Sequence, residues 1–170
     1  DESNKAPRRT LEMISELLRY QLYGGNQKVS ILQEIDYLKT YIALRKLRMS
    51  ERLRLRVEFP PELNELNIYP LLFLPLVENA FKYVGGDYQL DIIMKWENNR
   101  ISLFIRNSIP ELSAEDEALR KSVDERQRKG IGLVNLRRRL SLLYPNKHRL
   151  ETRKEETEFV AELMIEIEDI

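Results

Sequence analysis

The sequence predicts an α+β fold, a two-layer sandwich in which a mixed, mostly antiparallel sheet packs against helices and further helices precede it. Three observations predict this class. Segments with helical and strand periodicity alternate irregularly along the 170 residues. Neighbouring strand candidates are joined by short turns, which favours antiparallel pairing. Two amphipathic helices follow the first strand, enough to cover one face of a sheet.

The composition restricts the classes of function. Lys and Arg number 28, as do Asp and Glu, so there is no overall charge to attract nucleic acid or an anionic membrane. The absence of Cys excludes disulfides and thiol catalysis, and the single His argues against a His-ligated metal. No apolar run approaches the roughly 20 residues that span a bilayer. The chain begins without Met, and we expect a soluble fragment of a larger protein.

Two helices are predicted at the N-terminus. The first runs from about Arg8 to Tyr23 and ends at Gly24-Gly25-Asn26. Ser30 and Gln33 form a capping box that opens the second. An apolar seam runs along this second helix, formed by Ile31, Ile35, Leu38, Ile42 and Met49. The seam fits either a dimer interface or packing against the same domain, and two helices alone do not distinguish these.

The remaining elements follow in order. A strand is predicted over 52–59, a helix over 70–84, strands over 89–96 and 100–107, a helix over 133–144, and strands over 149–153 and 158–168. Asn98-Asn99 is a plausible hairpin turn because Asn tolerates left-handed conformations. Residues 108–129 are crowded with charges, which is typical of a lid, a binding loop or disorder.

The helix over 70–84 carries Asn79 within an apolar stretch closed by Gly85-Gly86. We expect one side of this helix to be buried, with Leu72, Leu76, Ala80 and either Phe81 or Tyr83 on it. Asn is a mediocre helix former. Asn79 is therefore either an incidental residue in a core helix, or a residue whose amide oxygen points into a site, as a ligand of a hard cation would.

Gly130 and Gly132 directly precede the helix over 133–144. Backbone N–H groups at a helix N-terminus bind phosphate, and glycines permit close approach. The pair alone also fits a simple hinge. It is neither a Walker A loop nor a dinucleotide fingerprint. With the Asn, Glu and Lys of the earlier helix and a charged segment between the two, the pattern favours a nucleotide site with magnesium.

Two motifs at this spacing carry a family resemblance. Leu-Pro-Leu-Val-Glu-Asn-Ala-Phe-Lys-Tyr, at 74–83, is followed about fifty positions later by Gly-Ile-Gly-Leu-Val-Asn-Leu-Arg-Arg-Arg-Leu and then Tyr-Pro. The chain resembles LytS/YehU-like sensor histidine kinases of the ATP-binding superfamily that includes gyrase and MutL. Segments 15–20 and 34–42 resemble the region that precedes the ATP domain in that group. The resemblance implies a Bergerat-type ATP-binding fold.

The resemblance also implies residue roles. Asn79 would be the magnesium ligand, Lys82 would reach a phosphate, and Glu78 would act beside them at the catalytic centre. Residues 108–129 would form the ATP lid. The nucleotide-binding set implied by the resemblance is Asn79, Lys82, Tyr83, Asn107, Gly130, Ile131, Gly132, Leu133 and Asn135.

The chain departs from the family in two places. Asn107 stands where many members have an Asp that accepts a hydrogen bond from the adenine amine, and the glycines that follow that Asp are absent. The Pro-His-Phe motif that carries the phosphoacceptor His is also absent, and we interpret His148 as an ordinary surface residue. The run Arg137-Arg138-Arg139 does not form one basic face, because successive helical residues point about 100° apart.

The resemblance implies an ATP- and Mg²⁺-dependent protein histidine kinase of a two-component system. We expect residues 1–25 to be the tail of a dimerisation and phosphoacceptor region, and residues 26–170 to be the ATP-binding domain. Expected partners are a response regulator and a second copy bound through the N-terminal helices, with no nucleic acid. A cytoplasmic location is expected, with membrane attachment only through segments outside this sequence, as in an inner-membrane sensor. The alternatives are a nucleotide-binding regulatory module or a docking module without kinase activity.

Overall fold

The helices and strands follow the predicted order, with small shifts at their ends. The computed structural model describes residues 5–23, 27–61, 63, 65–111, 113, 116 and 131–168. The helices are α1 (Lys5–Tyr23), α2 (Ile31–Arg48), α3 (Leu74–Tyr83) and α4 (Ile131–Leu143). The strands are β1 (Val29–Ser30), β2 (Arg54–Glu58), β3 (Asn67–Ile68), β4 (Gln89–Glu97), β5 (Arg100–Ser108), β6 (His148–Lys154) and β7 (Glu158–Glu166).

The chain divides into two compact units. The first unit comprises Asp1–Leu53 and Pro61–Leu71, and the second comprises Arg54–Pro60 and Leu72–Ile170. In the first unit α1 packs against α2, and β1 pairs with β3. The second unit contains the large sheet with α3 and α4. The small pair β1–β3 escapes prediction, because strands of two residues show no periodicity.

The capping box at the start of α2 is confirmed. The Ser30 hydroxyl accepts a hydrogen bond from the backbone N–H of Leu32 at 3.2 Å, and Gln33 Oε1 accepts one from the Ser30 N–H at 3.1 Å. Two N–H groups that lack partners within the helix are thereby satisfied, which fixes where α2 begins.

The apolar seam of α2 is buried within the chain itself. Ile31, Ile35, Leu38 and Ile42 are all at most 6% exposed. Met49, the fifth predicted residue of the seam, lies just beyond the end of α2 and is half-buried. This favours packing of the seam within the same chain over a dimer interface. Helix α1 differs, because three large apolar residues on it remain exposed: Leu11 at 64%, Leu18 at 55% and Leu22 at 82%.

The second unit is built on a five-stranded mixed sheet in the order β2-β4-β5-β7-β6. Only β2 and β4 run parallel, and the other neighbours are antiparallel. The turn between β4 and β5 is formed by Asn98 and Asn99, with φ of 51° and 59°. Positive φ at both central residues suits the right-handed twist of a two-residue hairpin, as the Asn pair predicts.

One face of the sheet is covered by helices. Alternate residues of β5 point to that face and are buried, namely Ile101, Leu103, Ile105 and Asn107. Helix α3 packs against β4 and β5, and α4 packs against α3 and β6. The predicted two-layer α+β sandwich is confirmed. Within the described residues no helix is long and apolar enough to cross a bilayer.

Helix α3 is shorter than predicted. It begins at Leu74 instead of Pro70, with Pro75 in its first turn, where a missing N–H is tolerated. Leu71 has a φ of 61°, which is incompatible with a right-handed helix. Of the two aromatic candidates, Phe81 is buried and Tyr83 is 43% exposed. Helix α4 begins at Ile131, so Gly132 lies inside it and not before it.

Candidate functional site

Helix α3 presents one face to the core and another to the candidate site. The buried residues are Leu74, Leu76, Val77, Ala80 and Phe81. Asn79 is half-buried, and Lys82 and Tyr83 are exposed. Because residues three and four apart are neighbours on a helix, Asn79 shares a face with Lys82 and Tyr83. Glu78 is exposed and points about 100° away from Asn79.

The last turn of α3 carries a cation over an aromatic ring. Lys82 Nζ lies 5.2 Å from the centroid of the Tyr83 ring. A cation above the face of a tyrosine is attracted by the negative charge of the ring face. The contact keeps the ammonium beside the helix end, on the same face as Asn79, where it can attract an anion.

The end of α3 is joined to the end of β5 by hydrogen bonds. The Gly85 N–H donates to the Ser108 carbonyl at 2.9 Å, and the Ser108 hydroxyl donates to the Gly85 carbonyl at 2.7 Å. The same hydroxyl accepts from the Gln89 N–H at 2.8 Å. Ser108 thus connects the chain after α3 to the start of β4, and it places Asn107 near the helix end that bears Lys82.

Asn107 is a polar residue in the buried face of the sheet. The residue is only 1% exposed and lies between Leu90 of β4 and Phe159 of β7 in the strand register. Its Nδ2 donates to the Ser108 carbonyl at 3.4 Å. Burying an amide is unfavourable unless its hydrogen bonds are made, so a polar residue here requires a local reason. The hydrogen bond to the Ser108 carbonyl satisfies part of that requirement.

Gly85 and Gly86 are required by contacts with a segment distant in sequence. A Cβ on Gly85 would lie 2.9 Å from Pro110 Cγ, and one on Gly86 would lie 2.9 Å from the Ile109 carbonyl oxygen. Gly86 also has a φ of 62°. The pair follows the end of α3, as predicted, but Val84 is already extended, so the glycines are not needed to stop the helix. They allow the chain after α3 to pass closely over Ile109-Pro110.

The start of α4 is open to solvent. Gly132 is exposed, and a Cβ there would meet no atom of the described residues within 4 Å. The first four N–H groups of a helix have no partner within it and attract anions. Leu133, in the same turn as Gly132, is half-buried, and Asn135, in the next turn, is exposed. Gly130 and the side chain of Ile131 lie outside the described residues.

The predicted lid begins later than expected. Ser108 is the last residue of β5, and the Ile109 N–H still donates to the Thr157 carbonyl at 2.8 Å. Ser113 Oγ donates to Asp116 Oδ2 at 2.7 Å, and the Asp116 N–H donates back to Ser113 Oγ at 3.2 Å. Most of residues 112–129 lie outside the described residues, so the lid stays a prediction there.

The structure therefore brings several of the predicted residues to neighbouring elements. Helix α3, with Asn79 and Lys82, contacts both α4 and β5 within the second unit. An oxygen donor, a cation and an open helix start are thus carried by elements in contact. Among the described residues, no group of three or more His, Cys, Asp or Glu side chains could hold a metal. A metal at this site would need ligands from a nucleotide as well as from Asn79.

Comparison with known proteins gives a consistent result. A family model described as histidine kinase matches residues 1–53. The chain is 27% identical over 153 residues to the sensor protein kinase HptS of Staphylococcus aureus strain USA300, covering 87% of this chain. The aligned part is only 30% of HptS, so the chain spans about a third of that relative's length.

Solved structures share the fold. The catalytic domain of histidine kinase ThkA superposes with a TM-score of 0.51 at 17% identity, covering 83% of this chain and 96% of that one. Full-length ShkA in complex with AMPPNP superposes with a TM-score of 0.54 at 13% identity, covering 98% of this chain and 37% of that one. At these identities the likeness establishes the fold.

Proposed function

We propose that this chain is the ATP-binding catalytic region of a two-component sensor histidine kinase. It is a relative of the sensor histidine kinases and has the fold of their catalytic domains. The observation that carries the proposal is the contact between α3, which bears Asn79 and Lys82 on one face, and α4, whose first turn is open at Gly132. A nucleotide triphosphate needs an oxygen ligand for its metal, a cation and a cradle of N–H groups.

The residues present fit a nucleotide with magnesium. Asn79 is half-buried and offers a neutral amide oxygen, which suits a hard cation that keeps most of its other ligands from phosphates and water. When bound, magnesium would neutralise charge on the phosphates. Lys82 would bind a phosphate, and Glu78 would act beside Asn79 without sharing its face. Gly132 leaves room for a phosphate at the start of α4, next to Gly130, Ile131, Leu133 and Asn135 in the proposed site.

The base would lie towards Asn107 and Tyr83. Asn107 is buried at the end of β5, and its amide oxygen would accept a hydrogen bond from the adenine amine. It contributes no charge, so this hydrogen bond is weaker than one to a carboxylate. Tyr83 is exposed beside Lys82 and offers an aromatic face. The ShkA structure is a complex with AMPPNP, an adenine nucleotide analogue, which supports nucleotide binding in this fold.

The γ-phosphoryl group would pass to a His on an upstream segment outside this sequence and then to an Asp of a response regulator. The proposed domain organisation keeps residues 1–25 as the tail of the dimerisation region and 26–170 as the ATP-binding domain, with a lid that begins after Ile109 and ends at 129. Two copies would associate through α1, whose exposed Leu11, Leu18 and Leu22 are spaced seven and four residues apart. We place the chain in the LytS/YehU-like group, on the cytoplasmic side of an inner-membrane sensor.

A thermal-shift experiment tests nucleotide binding. We expect millimolar Mg-ATP to raise Tm, and we expect Asn79→Ala to lose that shift. Lys95→Ala, at an exposed position of β4, is the matched control and keeps it. No stabilisation of the parent protein at millimolar nucleotide would favour the docking module over the kinase.

A second experiment tests phosphoryl transfer. The chain is extended with its own upstream helix that carries the phosphoacceptor His, and the product is incubated with γ-labelled ATP. We expect an acid-labile, base-stable label, as phosphohistidine gives. Protein that binds ATP but never becomes labelled would support the regulatory module and refute the kinase.

A further inference from the structure

Glu34 is a buried carboxylate in the first turn of α2. It is 0% exposed, although a charged group is rarely removed from water without a specific partner. Its Oε1 accepts a hydrogen bond from the backbone N–H of Leu71, at the other end of the first unit in sequence. The side chain therefore connects α2 to the segment that leads into α3.

Leu71 holds an unusual backbone conformation at that point. Its φ is 61°, in the left-handed region that residues other than Gly, Asn and Asp seldom occupy. The next two residues, Leu72 and Phe73, are 0% exposed, and α3 begins at Leu74. Because the residue type does not favour this conformation, the surroundings must impose it. The carboxylate of Glu34 is the side chain that holds the Leu71 N–H.

A third residue ties this contact to α1. The Tyr20 ring stacks on Tyr37 of α2, with centroids 4.7 Å apart and planes 29° apart. Gln21 Nε2 donates to the Tyr37 hydroxyl at 2.9 Å. Burial, and then the negative charge of the nearby Glu34, raise the pKa of Tyr20 well above its usual value.

We propose that Glu34 is a positioning residue that holds Leu71 in its left-handed turn ahead of α3, and that Tyr20 makes this hold depend on the packing of α1 against α2. The Tyr20 ring stacks on Tyr37, which lies one helical turn beyond Glu34 on α2, and Glu34 accepts the hydrogen bond from the Leu71 backbone. The consequence for nucleotide rests on the function proposed above, because the helix that follows this turn carries Asn79 and Lys82. Displacing α1 would then alter the segment that enters this helix.

Hydrogen exchange of the Leu71 amide tests the contact directly. We expect Glu34→Ala to speed exchange at Leu71 at least tenfold beyond any change in global stability. Glu34→Gln keeps an acceptor of the same size, and we expect its rate to stay within threefold of the parent. Glu51→Ala, an exposed residue of the same unit, is the matched control. Unchanged exchange in Glu34→Ala would overturn the proposal. If that variant fails to fold, Glu34→Leu, which fills the same space without an acceptor, replaces it, and unchanged Leu71 exchange in Glu34→Leu would overturn the proposal equally.

Two further variants test the backbone and α1. We expect Glu34→Ala to weaken Mg-ATP binding at least threefold. Leu71→Gly in that background removes the steric penalty of the left-handed turn, and we expect it to recover most of this loss. A merely structural loss of packing at Glu34 would not be rescued by removing a side chain elsewhere. We expect Tyr20→Ala, which removes the ring stacked on Tyr37, to speed Leu71 exchange at least threefold beyond any change in global stability, and an unchanged rate would remove α1 from the proposal.

The two proposals fail in distinguishable ways. Absence of Mg-ATP binding by the parent protein would refute the proposed function, while exchange at Leu71 would still decide the role of Glu34. Normal nucleotide binding with Leu71 exchange insensitive to Glu34→Ala would refute the positioning role alone.

Discussion

The Arg106 guanidinium donates to a single oxygen of Asp91, Oδ2, from Nε at 3.0 Å and from Nη2 at 2.6 Å. The two residues are directly paired across β4 and β5. Asp91 is 3% exposed, whereas the Arg106 side chain is 39% exposed. The guanidinium can therefore be solvated by water without its partner, but the carboxylate needs the hydrogen bonds from Arg106. Both residues lie on the sheet face opposite the one that holds Asn107, so the pair concerns stability and not the site.

We predict an asymmetric loss of stability when this pair is broken. Arg106→Ala leaves a buried carboxylate without its cation and should cost about 3 kcal/mol, whereas Asp91→Ala leaves a partly exposed cation and should cost about 1 kcal/mol. Urea unfolding measures both values. Arg149→Ala, from the exposed pair with Glu151 at 2.7 Å, is the control and should change stability by less than about 0.5 kcal/mol. Equal losses for Arg106→Ala and Asp91→Ala would contradict the asymmetry.

The close approach at Gly85 gives a second prediction. An added Cβ would lie 2.9 Å from Pro110 Cγ, within a rigid ring that cannot move aside easily. Gly85→Ala should therefore destabilise the protein by about 1–3 kcal/mol. Pro110→Ala in the same background should restore part of this loss, which a double-mutant cycle by urea unfolding would detect. Strictly additive effects of the two substitutions would show that the ring is not the obstacle.

A substitution at Gly132 should change nucleotide affinity without lowering the stability of the fold. A Cβ there meets no atom of the described residues within 4 Å, so Gly132→Ala should leave stability unchanged or raise it by up to about 1 kcal/mol. If phosphate occupies that space, affinity for Mg-ATP should fall at least tenfold, as calorimetry would measure. Ser141→Ala, exposed on the same helix, should leave both quantities unaltered. Full affinity in Gly132→Ala would argue against a phosphate at the first turn of α4.

Asn107 offers a gain-of-function prediction. Asn107→Asp provides a charged acceptor for the adenine amine and should tighten ATP binding about tenfold, or about 1.4 kcal/mol. The same buried carboxylate should lower the stability of the nucleotide-free protein by about 1–3 kcal/mol. Affinity for GTP, which has no amine at that position, should not rise. Improved binding of both nucleotides would mean that Asn107 does not face the base.

Stability at alkaline pH should report on Tyr20. Burial and the Glu34 charge raise its pKa in the folded protein, while the unfolded chain keeps a value of about 10. Above pH 10 the unfolded state therefore loses this proton first, and folded stability falls as pH rises. The extra loss in the parent protein, relative to Tyr20→Phe, is at most about 1.4 kcal/mol per pH unit. Parallel stability curves for the two proteins between pH 8 and 11 would contradict the raised pKa.

Much of the architecture can be predicted because it depends on local rules. The capping box at Ser30 and the Asn98-Asn99 turn are short-range signals, and both are confirmed. The similarity to sensor histidine kinases, inferred from two motifs, agrees with the match to HptS and with the family model over residues 1–53, and the predicted fold is shared with the ThkA catalytic domain.

The remaining features depend on contacts distant in sequence. The predicted start of α3 lies four residues too early, because Leu71 adopts a left-handed turn whose N–H is held by Glu34, 37 residues away. The need for Gly at position 85 arises from Pro110, and the role of Ser108 arises from Gly85. The site residues themselves stay predictions, since their roles depend on a ligand.

The position of β2 in the chain limits where the protein can be truncated without damaging its sheet. The chain leaves the first unit after Leu53, returns at Pro61 and leaves again after Leu71, so β2 is inserted between two parts of the first unit. Yet β2 pairs in parallel with β4 and forms an edge of the sheet. A protein truncated to begin at α3 would lack that edge strand and expose the backbone N–H and C=O groups of β4. Such an edge invites pairing with another chain, so aggregation of the shortened protein would reflect a missing strand.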